Sequence, residues 1–235
     1  MSKHMKRLAM PRTWSVPKKS NVWVTRQNPG PHPIEASIPL LIAIRDELKY
    51  CDSAREAKHI IATKDIIVDG KPVRDPKRPL GIMDVVRMPK MKEQFRVLPD
   101  EHGKLKMVSI TPEEAKWKLV RIENKTKVRL GRTQLNCHDG RNILVRKGEY
   151  KTHDVLKIAL PNQKVLARYP FTKGNMALVT GGKHAGKISA IDEYVITRSS
   201  MPNTVKFDSF STIVDNVFII GTETPAITIH EVKAI

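Results

Sequence analysis

Apolar residues recur with a helical period in the stretch just before residue 50. Leu41, Ile44 and Leu48 are separated by three and four positions, which is the spacing of one helical face. Ser37 precedes this run as a plausible N-cap, and Pro39 lies near the first helical position, where its missing N–H has no cost. The pattern predicts a short amphipathic helix that begins just after Ser37.

A second short helix is predicted to follow. Ser53 and Glu56 form the sequence S-x-x-E, in which each side chain can bond a free backbone N–H at the start of a helix. Residues three or four positions apart are neighbours on a helix surface, so both helices are expected to present cations to solvent. These are Arg45 and Lys49 on the first helix, and Arg55, Lys58 and His59 on the second.

The pattern then changes to that of a β-hairpin. Residues 66–68 and 71–73 flank the pair Asp69-Gly70, and Asp-Gly between β-branched runs is a strong hairpin signal. A stiff basic loop with two prolines comes next, and residues 81–86 are expected to form another strand. The cations of the hairpin and the loop are Lys71, Arg74, Lys77 and Arg78.

Residues 93–170 are predicted to be mostly β. Thr111 and Pro112 begin one short helix, as cap and first position. Short apolar runs bounded by turn residues occur at 95–98, 105–108, 119–122, 128–135, 142–145 and 155–160. Several short strands at such spacing indicate a closed or sandwich-like β domain. The expected fold class is therefore α+β, mostly β.

Composition adds a strong positive charge to this picture. The 235 residues include 42 lysines and arginines against 24 aspartates and glutamates, a formal net charge of +18. This excess favours an anionic partner, and nucleic acid fits better than a membrane surface. No stretch approaches the ~20 apolar residues that span a bilayer, and the N-terminus lacks the apolar core of a signal peptide. Cys51 and Cys137, the only cysteines, lack C-x-x-C partners, which favours a reducing, cytoplasmic location.

The N-terminal segment, residues 1–36, is expected to be a basic extended arm. Its first 34 residues contain seven lysines and arginines, five prolines and no carboxylate. Such a segment is expected to lack a core of its own and to become ordered on RNA. Two interpretations of Trp14 and Trp23 are open: packing on the neighbouring domain, which is commoner, or stacking on RNA. The candidate contacts of the arm are Lys6, Arg7, Arg12, Lys18 and Lys19.

A glycine-rich loop is the second diagnostic stretch. It joins strands expected at 176–179 and 188–191, and its glycines would let a partner approach the backbone closely. Its candidate contacts are Gly181, Gly182, Lys183, His184 and Lys187. The loop also matches most of a phosphate-binding loop, but that motif continues with Ser or Thr and a helix, whereas Ile188 here begins a strand. Nucleotide hydrolysis is therefore not predicted.

The sequence shows no catalytic or metal-binding constellation. None of the eight histidines belongs to an H-E-x-x-H motif, and the G-x-S-x-G and G-x-G-x-x-G motifs are absent. Cys137 and His138 are adjacent, but neighbouring strand residues point to opposite faces, which argues against a nucleophile–base pair. We therefore predict no enzyme activity, no metal site and no cofactor.

Two of these stretches resemble known RNA-binding elements. The helix pair and hairpin resemble the domain first described in bacterial ribosomal protein S-four, through residues 53–57 and 67–73. That domain also occurs in pseudouridine synthases and tyrosyl-tRNA synthetases. The resemblance implies that the cationic helix faces contact an RNA backbone. The glycine-rich loop resembles the KOW motif through residues 179–188 and Ile191, although Ser189 stands where that motif often has glycine. This second resemblance implies an SH3-like small barrel.

The whole chain resembles the small-subunit ribosomal S-four-e family of archaea and eukaryotes. Further matches are residues 4–11 with Trp14, and Gly30-Pro31-His32, and the short C-terminus looks archaeal. The order of parts implies a basic arm, an S-four-like RNA-binding domain, a central β domain, a KOW domain and a C-terminal β segment. Their expected bounds are 1–36, 37–92, 93–170, 171–205 and 206–235. The acidic balance of the last segment predicts that it does not touch RNA.

The resemblance implies a structural role in the ribosome. The expected partners are small-subunit rRNA and neighbouring small-subunit ribosomal proteins, with no membrane and no small-molecule substrate. An rRNA-modifying enzyme or an assembly factor could carry the same RNA-binding domain, and a KOW transcription factor could carry the same loop. The mostly β remainder argues against the larger α/β catalytic domain of such an enzyme, and the basic arm favours rRNA over polymerase.

Overall fold

The structure is a computed structural model that describes residues 4–63, 65–146 and 150–229. These residues form two compact units. The first holds the described residues up to Leu98 together with Lys104–Lys118, and the second holds Pro99–Gly103 together with the described residues from Leu119 onward. Residues 1–3 of the predicted arm and 230–235 of the predicted C-terminal segment lie outside the described residues.

The first unit contains the helix pair and the N-terminal strands. Its strands are β1 (Met5–Lys6), β2 (Trp23–Val24), β3 (Ser37–Pro39), β4 (Ile67–Val68), β5 (Lys71–Pro72), β6 (Pro79–Gly81), β7 (Val85–Met88), β8 (Glu93–Pro99) and β9 (Leu105–Ser109). Its helices are α1 (Leu40–Ile42), which continues as a π-helical turn over Ala43–Glu47, and α2 (Ala54–Ala62). Short 3-10 turns occupy Arg7–Ala9, Ile34–Ala36 and Glu114–Lys116.

The first unit is organised around a five-stranded sheet in the order β5-β4-β7-β8-β9. The predicted hairpin forms its edge, with Val68 opposite Lys71. Asp69 and Gly70 between them have φ values of +50° and +77°, the two positive values that a type I′ turn requires. The first unit also contains two two-stranded sheets, β1-β2 and β3-β6.

Helix α2 begins as predicted, at the capping box. The Ser53 hydroxyl accepts a hydrogen bond from the Glu56 N–H at 3.2 Å, and the Glu56 carboxylate accepts one from the Ser53 N–H at 3.3 Å. Ala57 and Ile61 are fully buried in the core of the unit, while Arg55 on the other side is exposed. The helix is therefore amphipathic, with small residues inside and cations outside.

Helix α1 begins later than predicted, and Ser37 is not its N-cap. Ser37 lies in β3 and is completely buried; its hydroxyl donates to the Pro33 carbonyl at 2.5 Å and accepts from Gln27 Nε2 at 2.7 Å. Both partners belong to the N-terminal segment. The helix starts at Leu40, after Pro39 in extended conformation. The sequence prediction is wrong here because the Ser37 hydroxyl forms its hydrogen bonds with residues of the arm, which a local sequence pattern does not reveal.

The basic arm packs into the first unit instead of extending from it. Met10, Trp14, Val16 and Val24 are all buried in the same core as the helix pair. The Trp14 indole N–H donates to the Ser37 carbonyl at 2.6 Å. The arm has no separate core, as expected, because its few apolar side chains join the core of the neighbouring elements. The expectation that it is an extension that becomes ordered on RNA is wrong for residues 4–36, which are packed on the protein itself.

Trp23, in contrast to Trp14, is 54% exposed. His4 approaches its ring edge-on at 5.2 Å between centroids, and the Lys6 ammonium lies 5.3 Å from the ring centroid. Of the two interpretations left open by the sequence, packing on protein is confirmed for Trp14. Stacking of Trp23 on RNA stays a prediction.

The predicted hairpin at 95–98 and 105–108 forms as β8 and β9, but in the sheet of the first unit. Phe95 of β8 pairs with Val86 of β7. The expected segment boundary at residue 92 therefore falls inside this sheet, because alternation of apolar and polar residues predicts a strand but not the sheet that it joins.

The second unit is formed by strands and two 3-10 turns. Strand β10 (Trp117–Lys127) begins in the first unit and continues into the second. The other strands are β11 (Thr133–Cys137), β12 (Asn142–Val145), β13 (Val155–Ala159), β14 (Val165–Tyr169), β15 (Met176–Val179), β16 (Ile188–Ala190), β17 (Glu193–Val195), β18 (Thr204–Lys206), β19 (Ser211–Ile213) and β20 (Val217–Gly221). The turns are Arg129–Gly131 and Val214–Asn216.

These strands form three sheets, ordered β12-β11-β10-β13-β14, β16-β15-β20 and β17-β18-β19. The strands predicted around the glycine-rich loop are confirmed as β15 and β16, with Leu178 opposite Ile188. On the other side Leu178 pairs with Phe218 of β20, so the predicted segments 171–205 and 206–235 share a sheet. The mostly β fold class is confirmed. No helix in the part of the chain that the structure describes is long and apolar enough to cross a membrane.

Candidate nucleic-acid interface

Helix α2 presents an exposed cationic surface in the first unit. Arg55, Lys58 and His59 are all solvent-exposed, and within the described residues neither Arg55 nor Lys58 has an ion-pair partner. The nearby Glu56 carboxylate accepts hydrogen bonds from the backbone N–H groups of Ser53 and Asp52, which lower its pKa. The Glu56 carboxylate, which lies between Arg55 and Lys58 in the sequence, is thus used to begin the helix.

The first helix does not present its cations in the predicted way. The Arg45 guanidinium is half-buried and bonds both oxygens of Asp46, at 3.1 and 2.7 Å. Lys49 lies after the end of the π-helical turn and has a φ of +54°. The prediction that Arg45 and Lys49 project together from one helical face is therefore wrong. Periodicity could not show that the helix ends at Glu47.

The basic loop after the hairpin is joined to the first turn of α1 by backbone hydrogen bonds. The carbonyls of Arg78 and Pro76 accept hydrogen bonds from the N–H groups of Leu40 and Leu41, at 2.9 and 3.0 Å. These N–H groups belong to the first turn of α1 and have no partner within the helix. The loop therefore caps α1, and its position relative to the helix pair is fixed.

The single carboxylate of this loop is directed towards the protein. Asp75 accepts from the Lys77 N–H at 2.9 Å and from Asn28 Nδ2 at 2.8 Å. Arg74 and Lys71 are exposed, whereas Lys77 and Arg78 are partly exposed. The loop thus offers cations to solvent while its negative charge anchors the turn.

All but one of the five candidate cations of the arm are exposed. Lys6, Arg12, Lys18 and Lys19 are exposed. Arg7, in contrast, is only 4% exposed, and its Nε donates to the Pro17 carbonyl at 2.6 Å. Arg7 therefore stabilises the arm itself and offers almost no surface to a partner.

The first unit also contains a buried ionic cluster. Lys118 is fully buried, and its Nζ bonds Asp69 Oδ2 at 2.9 Å and Asp84 Oδ1 at 2.5 Å. His32 of the arm bonds the same Asp84 oxygen at 3.1 Å. Burial alone would raise the pKa of Asp84, but Lys118 and His32 hold it far below its ordinary range. The cluster ties the arm, the hairpin turn and the start of β10 together.

The backbone completes this cluster. The second oxygen of Asp84 accepts from the Gly81 N–H at 2.9 Å, and Asp69 Oδ1 accepts from the Val85 N–H at 3.0 Å. A Cβ atom on Gly81 would lie 2.3 Å from the His32 ring, so glycine is required for the arm to approach this closely. Buried charges with all these partners are tolerated, whereas unpaired ones are not.

A second buried cation, Arg96, lies on β8. Its guanidinium stacks 4.6 Å from the Trp117 ring centroid and bonds the Glu114 carboxylate at 3.3 Å. Burial lowers the pKa of Arg96 to about 10, although Glu114 acts in the opposite direction. Arg96 and Lys118 reduce the number of cations at the surface, and neither was among the predicted site residues.

The glycine-rich loop forms the candidate surface of the second unit. Lys183, Lys187 and Gly182 are exposed, while Gly181 is half-buried. His184 stacks on Phe210 at 4.5 Å between centroids, and Lys187 Nζ lies 5.7 Å from the same ring. The loop is therefore supported by a side chain of the predicted C-terminal segment.

Glycine is required at one position of this loop for two reasons. Gly186 has a φ of +81°, and a Cβ there would lie 2.6 Å from the Asp100 carbonyl oxygen. Its N–H donates to the Val179 carbonyl at 2.8 Å, which closes the loop. The predicted close backbone approach at this glycine is thus made within the protein.

Comparison with known proteins gives the same order of parts. A model of the RS4NT domain matches residues 1–35, the S4 domain matches 40–86, and "Ribosomal family S4e" matches 91–165. The small ribosomal subunit protein eS4 of Methanothermobacter thermautotrophicus is 46% identical, over 97% of this chain and 96% of that protein. The corresponding protein of Methanocaldococcus jannaschii is 42% identical, over 96% of both. The chain belongs to the ribosomal S4e family.

A solved S4e structure agrees with this assignment. The 30S ribosomal protein S4e of Thermoplasma acidophilum shares 37% identity and a TM-score of 0.71, covering 80% of this chain and 96% of that one. Within this S4e chain, the S4 match contains α1, α2, the hairpin and the basic loop, and the RS4NT match contains the arm. The KOW resemblance of the glycine-rich loop stays a prediction.

The candidate residues of this S4e chain therefore fall into two groups. Those that the structure leaves exposed or partly exposed are Lys6, Arg12, Lys18, Lys19, Lys49, Arg55, Lys58, Lys71, Arg74, Lys77, Arg78, Gly182, Lys183 and Lys187, with His184 and Gly181 half-buried. Arg7 is buried and Arg45 is paired with Asp46. Sequence reasoning missed the supporting cluster of Lys118, Asp69 and Asp84, because no local pattern distinguishes a buried lysine from an exposed one.

Proposed function

We propose that this protein is a structural component of the small ribosomal subunit and binds its rRNA. Three findings support the proposal: near-full-length similarity to proteins named as small ribosomal subunit protein eS4, a net charge of +18, and a helix α2 on which Arg55 and Lys58 are exposed without an ion-pair partner among the described residues. The partners are small-subunit rRNA and adjacent ribosomal proteins, in the cytoplasm. The role involves no chemical step, cofactor or small-molecule substrate.

The observation that carries the proposal is the exposed surface of α2. Arg55 and Lys58 are one turn apart, and the carboxylate between them is committed to the capping box. Phosphates that bind there release counterions from the RNA, which gives affinity that falls steeply with salt. The arm and the basic loop add further exposed cations in the first unit, and Lys183 and Lys187 add two in the second.

Co-sedimentation tests the assignment directly. Tagged protein is expressed in a cell whose ribosomes it can enter, and sucrose-gradient fractions are compared at rising salt. We expect stoichiometric protein in the small-subunit peak that survives moderate salt. Protein found free, or only on precursor particles, would instead indicate an assembly or modification factor and would overturn the proposal.

A paired variant tests the α2 surface. Arg55→Ala with Lys58→Ala should weaken binding to small-subunit rRNA and reduce the slope of log K against log salt by about 1.5, the value expected for two lost phosphate contacts. Folding should be unchanged because both side chains are exposed. Equal affinity with an unchanged melting curve would remove this face from the site.

The chain offers a control of the same charge change. Lys173 and Lys206 are exposed, but each already pairs with a carboxylate, Asp192 at 2.9 Å and Glu193 at 2.8 Å. Lys173→Ala with Lys206→Ala removes two positive charges that are each balanced by the paired carboxylate. This variant should keep both the affinity and the salt slope, which separates specific phosphate contacts from net charge.

A further inference from the structure

Two cavities of the first unit meet along helix α2. One, of about 400 Å³, is lined by apolar side chains that include Ile44, Ile60 and Met88. The other, of about 750 Å³, is lined by Arg55 and Lys58 among others. Tyr50, His59 and Ile60 line both cavities. An apolar recess is thus continuous with the cationic helix surface.

The shared wall of these cavities carries aromatic rings. Tyr50 is half-buried, with its hydroxyl hydrogen-bonded to the Glu93 carboxylate, so its ring is held in place. His59 is exposed on α2. Tyrosine and histidine rings are surfaces on which unpaired RNA bases stack, and such stacking accompanies a cationic groove that follows the backbone.

The recess also has a polar end, formed by Asp65, whose two carboxylate oxygens differ in their hydrogen bonding. Lys90 Nζ and the Thr63 hydroxyl both donate to Asp65 Oδ2, each at 2.6 Å. These bonds lower the pKa of Asp65, so the carboxylate stays ionised. Its other oxygen, Oδ1, retains the capacity to accept hydrogen bonds from a ligand. Among the bases, guanine offers two adjacent N–H donors on its Watson–Crick edge.

We propose that the recess between α2 and the end of β7 receives one unpaired guanine base of the bound RNA. The base packs against the rings of both Tyr50 and His59, its N–H edge faces Asp65, and the adjoining phosphates lie on Arg55 and Lys58. This inference rests on the proposed rRNA binding and deepens it, because the backbone contacts supply affinity and the recess adds selectivity for a base. Apolar lining with a few polar groups is the usual composition of a small-ligand pocket.

The test uses three eleven-nucleotide RNAs of equal charge: oligouridine, and the same strand with one central guanosine or one central adenosine. Fluorescence anisotropy with the full chain should show about fivefold tighter binding of the guanosine probe than of oligouridine, the low end of the range for one stacked base. The adenosine probe should bind with intermediate affinity, since it can stack but lacks the paired donors.

Two variants locate the effect. Asp65→Asn removes the ionised acceptor at an exposed pair and should abolish the difference between guanosine and adenosine probes while leaving oligouridine unchanged. His59→Ala should weaken both purine probes relative to oligouridine. Asp208→Asn, an exposed carboxylate of the second unit, makes the same charge change and should leave all three affinities in their original ratio.

The outcomes are decisive in both directions. Equal affinity for the three probes would overturn the base recess, even if salt-sensitive binding to rRNA and co-sedimentation persist, and would mean that the recess is empty or covered by a protein side chain. A guanosine preference that survives Asp65→Asn would also overturn it. A preference that disappears in that variant supports the recess, whether or not the protein remains in the small-subunit peak.

Discussion

Replacing Lys118 with methionine is the sharpest test of how this fold is held together. The two side chains have similar length and volume, so the substitution removes the charge with little change in packing. Lys118 Nζ is the partner of Asp69 at 2.9 Å and of Asp84 at 2.5 Å, and its side chain is fully buried. The variant leaves two buried carboxylates without their shared cation.

The expected loss of stability follows from burial. Removing one partner of a buried ion pair typically costs about 3–5 kcal/mol, because the remaining charge has been taken out of water without compensation. His32 and the backbone N–H groups of Gly81 and Val85 still contact the carboxylates, so we expect a value near the lower end. Lys116→Met, two residues earlier and exposed, should change stability by less than about 0.5 kcal/mol.

The stability difference between Lys118→Met and the native chain should depend on pH in a defined direction. The folded-state pKa of Asp84 is depressed, so its stabilising contribution is present above the unfolded pKa of about 3.9 and is lost as pH falls further towards the folded value. In Lys118→Met the burial that raises the pKa of Asp84 is no longer opposed by the lysine. Protonation of Asp84 then removes the uncompensated buried charge of the variant. The difference in the free energy of unfolding between the variant and the native chain should therefore shrink below about pH 4.

Urea denaturation followed by circular dichroism at several pH values measures both quantities. A loss below about 1 kcal/mol at neutral pH would show that the cluster is not a net stabiliser of the folded chain. A difference between the two chains that stays constant down to pH 3 would refute the assigned charge states. Agreement in both would establish that the arm, hairpin and β10 are joined by ionic contacts.

Two further substitutions test the local geometry of each unit. Ser53→Ala removes the N-cap of α2 and should lower stability by about 1 kcal/mol in the same denaturation assay, whereas Ser20→Ala, an exposed serine with only a 3.4 Å contact, should have no measurable effect. Gly186→Ala should destabilise the second unit by about 2 kcal/mol or more, because alanine is strained at φ +81° and its Cβ would collide with the backbone of Asp100; unchanged thermal unfolding would contradict this.

Local patterns predicted the parts of this fold that depend on neighbours in sequence. The capping box at Ser53 and Glu56, and the turn at Asp69-Gly70, formed as expected because each is determined within four residues. The strands around the glycine-rich loop followed for the same reason. At these positions the residues that determine the structure are the same few consecutive residues that form the sequence pattern.

The failures concern contacts between distant residues. Lys118 is 34 residues from Asp84 and 49 from Asp69 in the sequence. The Ser37 hydroxyl accepts a hydrogen bond from Gln27 of the arm. The burial of a lysine or a serine hydroxyl is decided by what folds over it, and no spacing in the sequence shows that. Arg7 was missed as a structural residue for the same reason, since its partner is the Pro17 carbonyl.

Because the arm is folded, binding of RNA costs it less ordering entropy than the sequence suggested. A disordered basic tail loses conformational freedom when it binds, and that loss subtracts from the affinity. Here Trp14 is buried, and His32 is fixed by Asp84, before any partner arrives. The exposed arm cations Arg12, Lys18 and Lys19 are therefore presented from a preorganised surface, and disrupting the buried cluster should weaken RNA binding without touching a single contact residue.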